Sequence, residues 1–151
     1  MNLGPHSFKM ESWISCAPFE KLLNMEIIKA ENGKAVLKMP FLVDYAQGAA
    51  LMHGGALVSL ADTAVAMAIK SILKPNSHFG TLKLETEFLY PVKKGIVTAF
   101  AEVCKGKEER TFIGQAKVMN EHEKIVMTFS SLFKLAKSAE IRSVMFNDSS
   151  N

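Results

Sequence analysis

The sequence has few cysteines and no long uninterrupted hydrophobic run, and each shortage excludes a class of protein. Its two cysteines, Cys16 and Cys104, stand far apart and outside any metal-ligand spacing, so we expect reduced thiols. The longest apolar stretch, 56–69, is interrupted by Asp62 and is shorter than the roughly 20 residues that a membrane span needs. The opening residues, MNLGPHSFKMESW, do not read as a secretory leader, which predicts a cytoplasmic protein.

The sequence also has no large excess of positive or negative charge. Eighteen Lys and Arg against fifteen Asp and Glu give a formal charge of +3 over 151 residues, which does not indicate a nucleic-acid binder. The four histidines, at positions 6, 53, 78 and 122, lack the spacing of metal ligands, so no metal is predicted. No serine nucleophile motif of the G-x-S-x-G type is present either.

A chain of this length with 48% hydrophobic residues fits one domain with a sizeable core. We predict a loose N-terminal arm at 1–15, a single domain at 16–136 and a flexible C-terminal tail at 137–151. The tail prediction rests on the loss of hydrophobic periodicity after residue 136 and on the polar ending NDSSN.

Hydrophobic periodicity predicts one long helix between two groups of strands. Apolar residues recur at spacings of three and four from Gly55 to about Leu73, where Lys74-Pro75 ends the helix. A shorter helix is predicted at 17–25. Alternation and turn residues predict strands at 25–31, 34–39, 79–90, 95–104, 110–119 and 124–135, with Asn32-Gly33 turning the first hairpin. The predicted fold class is α+β, with an antiparallel sheet wrapped around one long central helix.

Asp62 is the single carboxylate in the apolar run, and a charge there costs stability unless it is paired or used. At 100° per residue it projects about 110° from the centre of the apolar stripe, among small and polar neighbours. Periodicity alone leaves two interpretations open. Asp62 either points to solvent or caps a loop, or it lies in a cleft.

His53, Gly54 and Gly55 open the same helix. A helix N-terminus presents unpaired N–H groups and a partial positive charge, and glycines there let a ligand approach the backbone. The simpler interpretation is a tight turn that His53 caps. However, bare amides and a carboxylate two turns further are what acyl hydrolysis requires, because the amides stabilise the oxyanion and the carboxylate activates water or attacks directly.

The stretch HGGALVSLAD resembles the HGG…D signature of hotdog-fold acyl-CoA thioesterases of the phenylacetate-degradation (PaaI-like) branch. The following stretch GTLKLETEFLYPVKKG is similar to that family's next strand, and roughly residues 20–135 follow the family order. The resemblance implies a hotdog fold and hydrolysis of an acyl- or aryl-CoA to free acid and CoA, without a cofactor. It also implies a homodimer or a dimer of dimers, with active sites at the subunit interface.

By the same resemblance, Asp62 is the general base or nucleophile, and the N–H of Gly54 polarises the thioester carbonyl. Thr81 matches a hydroxyl residue that assists the water in some members. Gln47 stands where some members have an Asn, and its longer side chain places the amide differently, so its role in this chain differs from that of the Asn. The main role expected for His53 is to organise the loop, with a catalytic role as the second interpretation.

The substrate itself is expected to contact further residues. Gly55 is predicted to lie against it at the helix N-terminus. Basic residues of the second half are predicted to meet the CoA phosphates, namely Lys93, Lys94, Lys105, Lys107 and Arg110. For any one of them, a solvated turn residue is the plainer interpretation.

Two other functions stay open, and a third is disfavoured by the absence of its motifs. Hydratases and dehydratases of the same fold use a His-Phe-Pro-Gly run or an Asp-x4-His motif, and neither occurs in this sequence. A non-catalytic acyl-CoA binder or sensor is disfavoured by Asp62 but kept open by Gln47. A plain interaction module predicts no thioester turnover at all.

Overall fold

A computed structural model of the protein describes residues 1–142. Its elements in chain order are α1 (Pro18–Leu22), β1 (Glu26–Glu31), β2 (Lys34–Pro40), a 3₁₀ turn (Val43–Tyr45), α2 (Gly54–Lys70), β3 (Phe79–Phe88), β4 (Ile96–Lys105), β5 (Thr111–Met119) and β6 (Ile125–Leu135). Every predicted helix and strand is present, with ends within three residues of the predicted ones. Within residues 1–142 no helix has the length and hydropathy that a membrane crossing requires.

The six strands form one antiparallel sheet in the order β1-β2-β4-β5-β6-β3. Alternate residues of β2, β4 and β5 are buried, which is the pattern of strands with one face on a core. That core face packs on α2. The predicted architecture, an α+β fold with an antiparallel sheet around one long helix, is therefore confirmed.

The first hairpin turns at Asn32 and Gly33, which have φ angles of 51° and 78°. Two consecutive residues with positive φ are typical of the tight turns that match the twist of a hairpin. The Gly33 N–H also donates to the hydroxyl of Ser71 at 2.9 Å, which fastens the hairpin to the C-terminal end of α2.

Gly114 of β5 lets the long helix approach the sheet closely. A Cβ at this position would lie 2.2 Å from a methyl carbon of Val65 and 2.8 Å from the hydroxyl of Ser131. A side chain at position 114 would therefore push α2 off the sheet, so the glycine is required for close packing rather than for a turn.

β3 differs from the other long strands because it is an edge strand with both faces largely exposed. It pairs only with β6, and its Leu82, Leu84 and Phe88 are 63%, 40% and 53% exposed. An apolar edge of this kind offers unpaired backbone groups to another strand.

The two segments outside the sheet are both attached at the C-terminal end of α2. In the predicted arm, the indole of Trp13 donates to the carbonyl of Lys70 at 3.0 Å. In the predicted tail, the Arg142 N–H donates to the carbonyl of Ile72 at 2.7 Å, and Ala139 is buried. Residues 137–142 are thus attached beyond the end of α2, and the rest of the predicted tail, 143–151, lies outside the described residues.

Candidate active site

One stripe of α2 is left uncovered by the sheet. Gly55, Ser59, Asp62, Thr63, Ala66 and Lys70 are exposed or half-buried, whereas the helix's other faces carry its fully buried residues. At about 100° per residue these six positions fall within an arc of about 100°. The stripe is built of small and polar side chains, so α2 presents a shallow floor with the Asp62 carboxylate near its middle.

The hydroxyl of Thr81, near the start of β3, donates to the Asp62 carboxylate at 3.0 Å. Strict alternation along β3 from Phe88 would place Thr81 on the opposite face of the sheet from α2. The strand has a β-bulge between Thr81 and Lys83, and the extra residue returns Thr81 to the face that looks toward α2. The bulge therefore makes the contact with Asp62 possible.

Burial raises the pKa of the Asp62 carboxyl above its usual range, and the hydrogen bond from Thr81 opposes this rise. The carboxylate is thus poorly solvated and has one side-chain donor. Such a group holds a proton more readily than an ordinary surface Asp, which is the property that a general base near neutral pH needs.

The residues that open α2 form a capped helix start with one unused amide. The Nδ1 atom of His53, the N-cap residue, accepts from the Gly55 N–H at 2.8 Å, so a neutral ring carries its proton on Nε2. The Gly54 N–H donates to no residue within 1–142. Of the two predicted glycine amides, Gly55 is therefore engaged by the cap and Gly54 is available to a ligand.

Phe88, at the end of β3, lies against this helix start. A Cβ added to Gly54 would be 3.0 Å from the Phe88 ring. The ring therefore forms a hydrophobic wall beside the available amide, and it would have to shift by a few tenths of an ångström to admit a larger residue at position 54.

Eight residues separate Gly54 from Asp62, which corresponds to about 12 Å along the helix axis. The two positions also project about 80° apart around that axis. The structure therefore places the predicted oxyanion donor and the predicted carboxylate on one helix, but not at one point.

Gln47 lies in the loop before α2 and is bonded within that loop. Its side-chain oxygen accepts from the Ala49 N–H, while its backbone N–H and carbonyl bond to Leu51 and Ala50. The same loop is joined to the start of α2 by the His53 N–H, which donates to the Tyr45 carbonyl at 2.7 Å. In the single chain, Gln47 shapes the approach to the helix N-terminus rather than contacting Asp62.

The predicted phosphate-binding residues fall into two groups at opposite ends of α2. Lys93 and Lys94 follow Val92, whose carbonyl accepts from the Met52 N–H at 2.9 Å, so both lie near the helix N-terminus. Lys105, Lys107 and Arg110 lie at the other end of the sheet, where β4 adjoins the hairpin that is fastened to the C-terminal end of α2.

Arg110 has partners of its own at that end. Its guanidinium donates to the carbonyls of Ala136 and Ala139, which ties the segment after β6 to the start of β5. Among the described residues, no group of three or more His, Cys, Asp or Glu side chains is arranged to hold a metal ion.

Two aromatic residues at this helix were missed by the sequence analysis. Phe88 lies four residues after Leu84 in β3, so alternation predicts that both side chains are on the same face of the sheet. The contact of Phe88 with Gly54 was not predictable. Trp13 reaches Lys70 across 57 positions of sequence, a pairing that no local pattern reports.

Comparison with known proteins gives consistent relatives. A sequence model of the thioesterase superfamily matches residues 49–125. The acyl-coenzyme A thioesterase PaaI of Escherichia coli is 33% identical over 111 residues, covering 72% of this chain and 76% of that protein. The 1,4-dihydroxy-2-naphthoyl-CoA hydrolase of Listeria monocytogenes is 29% identical over 108 residues, covering 71% and 86%. The solved structure of the E. coli PaaI protein superposes with a TM-score of 0.72 at 29% identity, covering 80% of this chain and 85% of that one.

Proposed function

The chain belongs to the thioesterase superfamily, and we propose on that basis that it hydrolyses the thioester of an acyl- or aryl-CoA to free acid and CoA. The observation that carries the proposal is the Asp62 carboxylate, poorly solvated on the open stripe of α2 and bonded by Thr81. A carboxylate in this setting serves a reaction better than it serves stability, because ionising it away from water is unfavourable.

The reaction needs few groups. Asp62 takes a proton from a water that adds to the thioester carbonyl carbon, or it attacks that carbon itself and forms a mixed anhydride, which water hydrolyses after the thiolate has left; both routes stay open. The Gly54 N–H stabilises the charge that develops on the carbonyl oxygen. The carbon–sulfur bond then breaks, and the thiolate leaves without a dedicated acid because a thiol has a pKa of about 8.5.

We propose that each site is completed by a second copy of the chain. Within one chain, three contacts of about 3 Å each would have to connect the Gly54 N–H with the Asp62 carboxylate: the N–H with the carbonyl oxygen, the attacking water with the carbonyl carbon, and that water with the carboxylate. Because these contacts do not lie in a straight line, they do not span about 12 Å along the helix axis combined with a rotation of about 80° around it. Asp62 of one chain and the Gly54 N–H of another meet this requirement if the open stripes of two helices face each other. The unpaired apolar edge of β3 supports such pairing.

Lys93 and Lys94 are the members of the predicted basic set placed to meet the CoA phosphates, because they lie near the helix N-terminus. Replacing both with Glu should raise KM for acyl-CoA several-fold at low salt, with a smaller effect at high salt. Replacing both Lys105 and Lys107 with Glu, at the other end of the sheet, is the matched charge-reversal control. An unchanged KM in the double variant of Lys93 and Lys94 would contradict this assignment.

The first test is release of free thiol from short, medium, long-chain and aryl acyl-CoAs by the wild type and by Asp62→Asn. We expect turnover by the wild type and a loss in kcat of about 10² to 10⁴ in the variant, which keeps the shape of the side chain but loses its basicity. Normal hydrolysis by Asp62→Asn would overturn the mechanism.

A second function is tested by the same experiment. Tight acyl-CoA binding by the wild type without any turnover would favour a non-catalytic acyl-CoA sensor. The observation that supports this second function is Gln47, which stands where some members of the family have an Asn. The cytoplasmic location stays a prediction, which cell fractionation with an antibody against the chain would test.

A further inference from the structure

The open stripe of α2 is the floor of a groove with two walls. On one side lies β3, with Thr81 bonded to Asp62 and Phe88 against Gly54. On the other side the segment 13–24 follows the helix from its C-terminal end toward its N-terminal end.

Contacts at both ends of this segment define its path. At one end Trp13 bonds to Lys70. At the other end the Tyr45 hydroxyl donates to the Leu22 carbonyl at 3.0 Å and accepts from the Asn24 amide at 2.7 Å. Tyr45 is itself bonded to His53 at the start of α2. The wall formed by 13–24 lies outside residues 49–125, the region that the superfamily model matches.

Trp13 and Lys70 close the C-terminal end of the groove with reciprocal contacts. The indole N–H donates to the Lys70 carbonyl at 3.0 Å, and the Lys70 ammonium donates to the Trp13 carbonyl at 3.1 Å. The same ammonium lies 4.7 Å from the centroid of the Trp13 ring, a cation–π contact. Because the ammonium is hydrogen-bonded to Trp13 and lies against its ring, the two residues close this end of the groove together.

We propose that Trp13 is the specificity-determining residue that limits the length of the acyl group, by closing the α2 groove beyond Ala66. This inference rests on the proposed thioesterase function. Asp62 and Lys70 are eight residues apart, or about 12 Å along the axis. An extended chain advances about 1.2 Å per bond, so the groove holds an acyl chain of about ten carbons.

The lining of the C-terminal half of the groove sets the direction of the substrate. Its floor is Ala66 and its end wall is Trp13, which suits an apolar chain. The acyl group therefore extends from Asp62 toward Trp13.

The test is the acyl-length profile of kcat/KM, measured by thiol release with saturated acyl-CoAs of four to sixteen carbons. Trp13→Ala opens the end of the groove, so longer acyl chains should fit. We expect the kcat/KM for a fourteen-carbon chain, divided by that for an eight-carbon chain, to rise by roughly tenfold or more. One methylene group that gains or loses a hydrophobic pocket changes kcat/KM by about tenfold or more. The ratio does not depend on how much of a sample is folded, so lost packing at position 13 does not imitate the effect.

Trp13→Phe is the matched control, because it keeps an aromatic wall and loses only the N–H that bonds to Lys70. We expect its length profile to stay near that of the wild type. An unchanged ratio in Trp13→Ala would overturn the role of Trp13 while leaving the thioesterase function intact. Absence of turnover by the wild type on every acyl-CoA would instead overturn the function on which the inference rests.

Discussion

Two features of its surroundings have opposite effects on the ionisation of Asp62. Burial destabilises its ionised form, while the Thr81 hydroxyl stabilises that form, and the net result is a raised pKa for a carboxylate that is still open to a ligand. A structural carboxylate in a helix is normally paired with a cation, but none of the ion pairs within residues 1–142 includes Asp62. This supports the proposal that the charge is retained for function rather than for stability.

Removing the Thr81 hydroxyl should move the pH dependence of catalysis. In Thr81→Val the carboxylate loses its donor, so the pKa of Asp62 rises further. Since the base must be ionised to act, the acid limb of the kcat/KM profile should move to higher pH, and the loss of activity should be largest on the acid side. The measurement is kcat/KM across the acid limb with one acyl-CoA.

Thr81→Ser is the control for this prediction, because it keeps the hydroxyl and should keep the wild-type limb. A uniform loss in Thr81→Val at every pH, with the limb unmoved, would show that Thr81 acts on something other than the ionisation of Asp62.

The helix N-terminus allows its amide to be tested separately from its side chain. Gly54 is the first residue of α2, a position where proline fits because the N–H has no partner within the helix. His53, with φ −60° and ψ 131°, already has the extended conformation that a following proline requires. Gly54→Pro therefore removes the proposed oxyanion donor with little cost to the helix.

Gly54→Ala is the matched variant, since it brings the same Cβ toward Phe88 but keeps the N–H. We expect kcat of Gly54→Pro to fall by about 10² to 10³ relative to Gly54→Ala, which is the typical effect of removing one oxyanion donor. Circular dichroism and thermal melts check that both variants fold. Equal kcat values in the two folded variants would assign the oxyanion contact elsewhere.

Element type and order were predictable from the sequence because each apolar face repeats with its own period. The spacing of three and four in α2 and the alternation in β2, β4 and β5 follow directly from burial against one core. The face of Thr81 was not predictable, because a single extra residue in β3 reverses the alternation. Contacts such as Trp13 with Lys70 depend on the path of a segment without periodicity.

At the scale of the whole molecule, β3 is one of the two edges of the sheet, with β1, that the described residues leave without a neighbouring strand. β3 brings Thr81, Leu84 and Phe88 to the same rim as the open stripe of α2, so the unfinished edge and the unfinished site coincide. In the proposed dimer, a second copy along this rim would cover exposed apolar surface and supply the missing half of each site. The proposal thereby links association of the chain to its chemistry.

Mixing two inactive variants tests this link. In an isologous dimer whose sites each combine Asp62 of one chain with Gly54 of the other, a heterodimer of Asp62→Asn and Gly54→Pro contains one intact site and one doubly altered site. A random equimolar mixture contains half heterodimers, so we expect about a quarter of wild-type activity to return. Variants refolded together are compared with variants refolded apart and then combined. If both groups of a site came from one chain, no heterodimer would hold an intact site, and the co-refolded mixture would stay as inactive as its components.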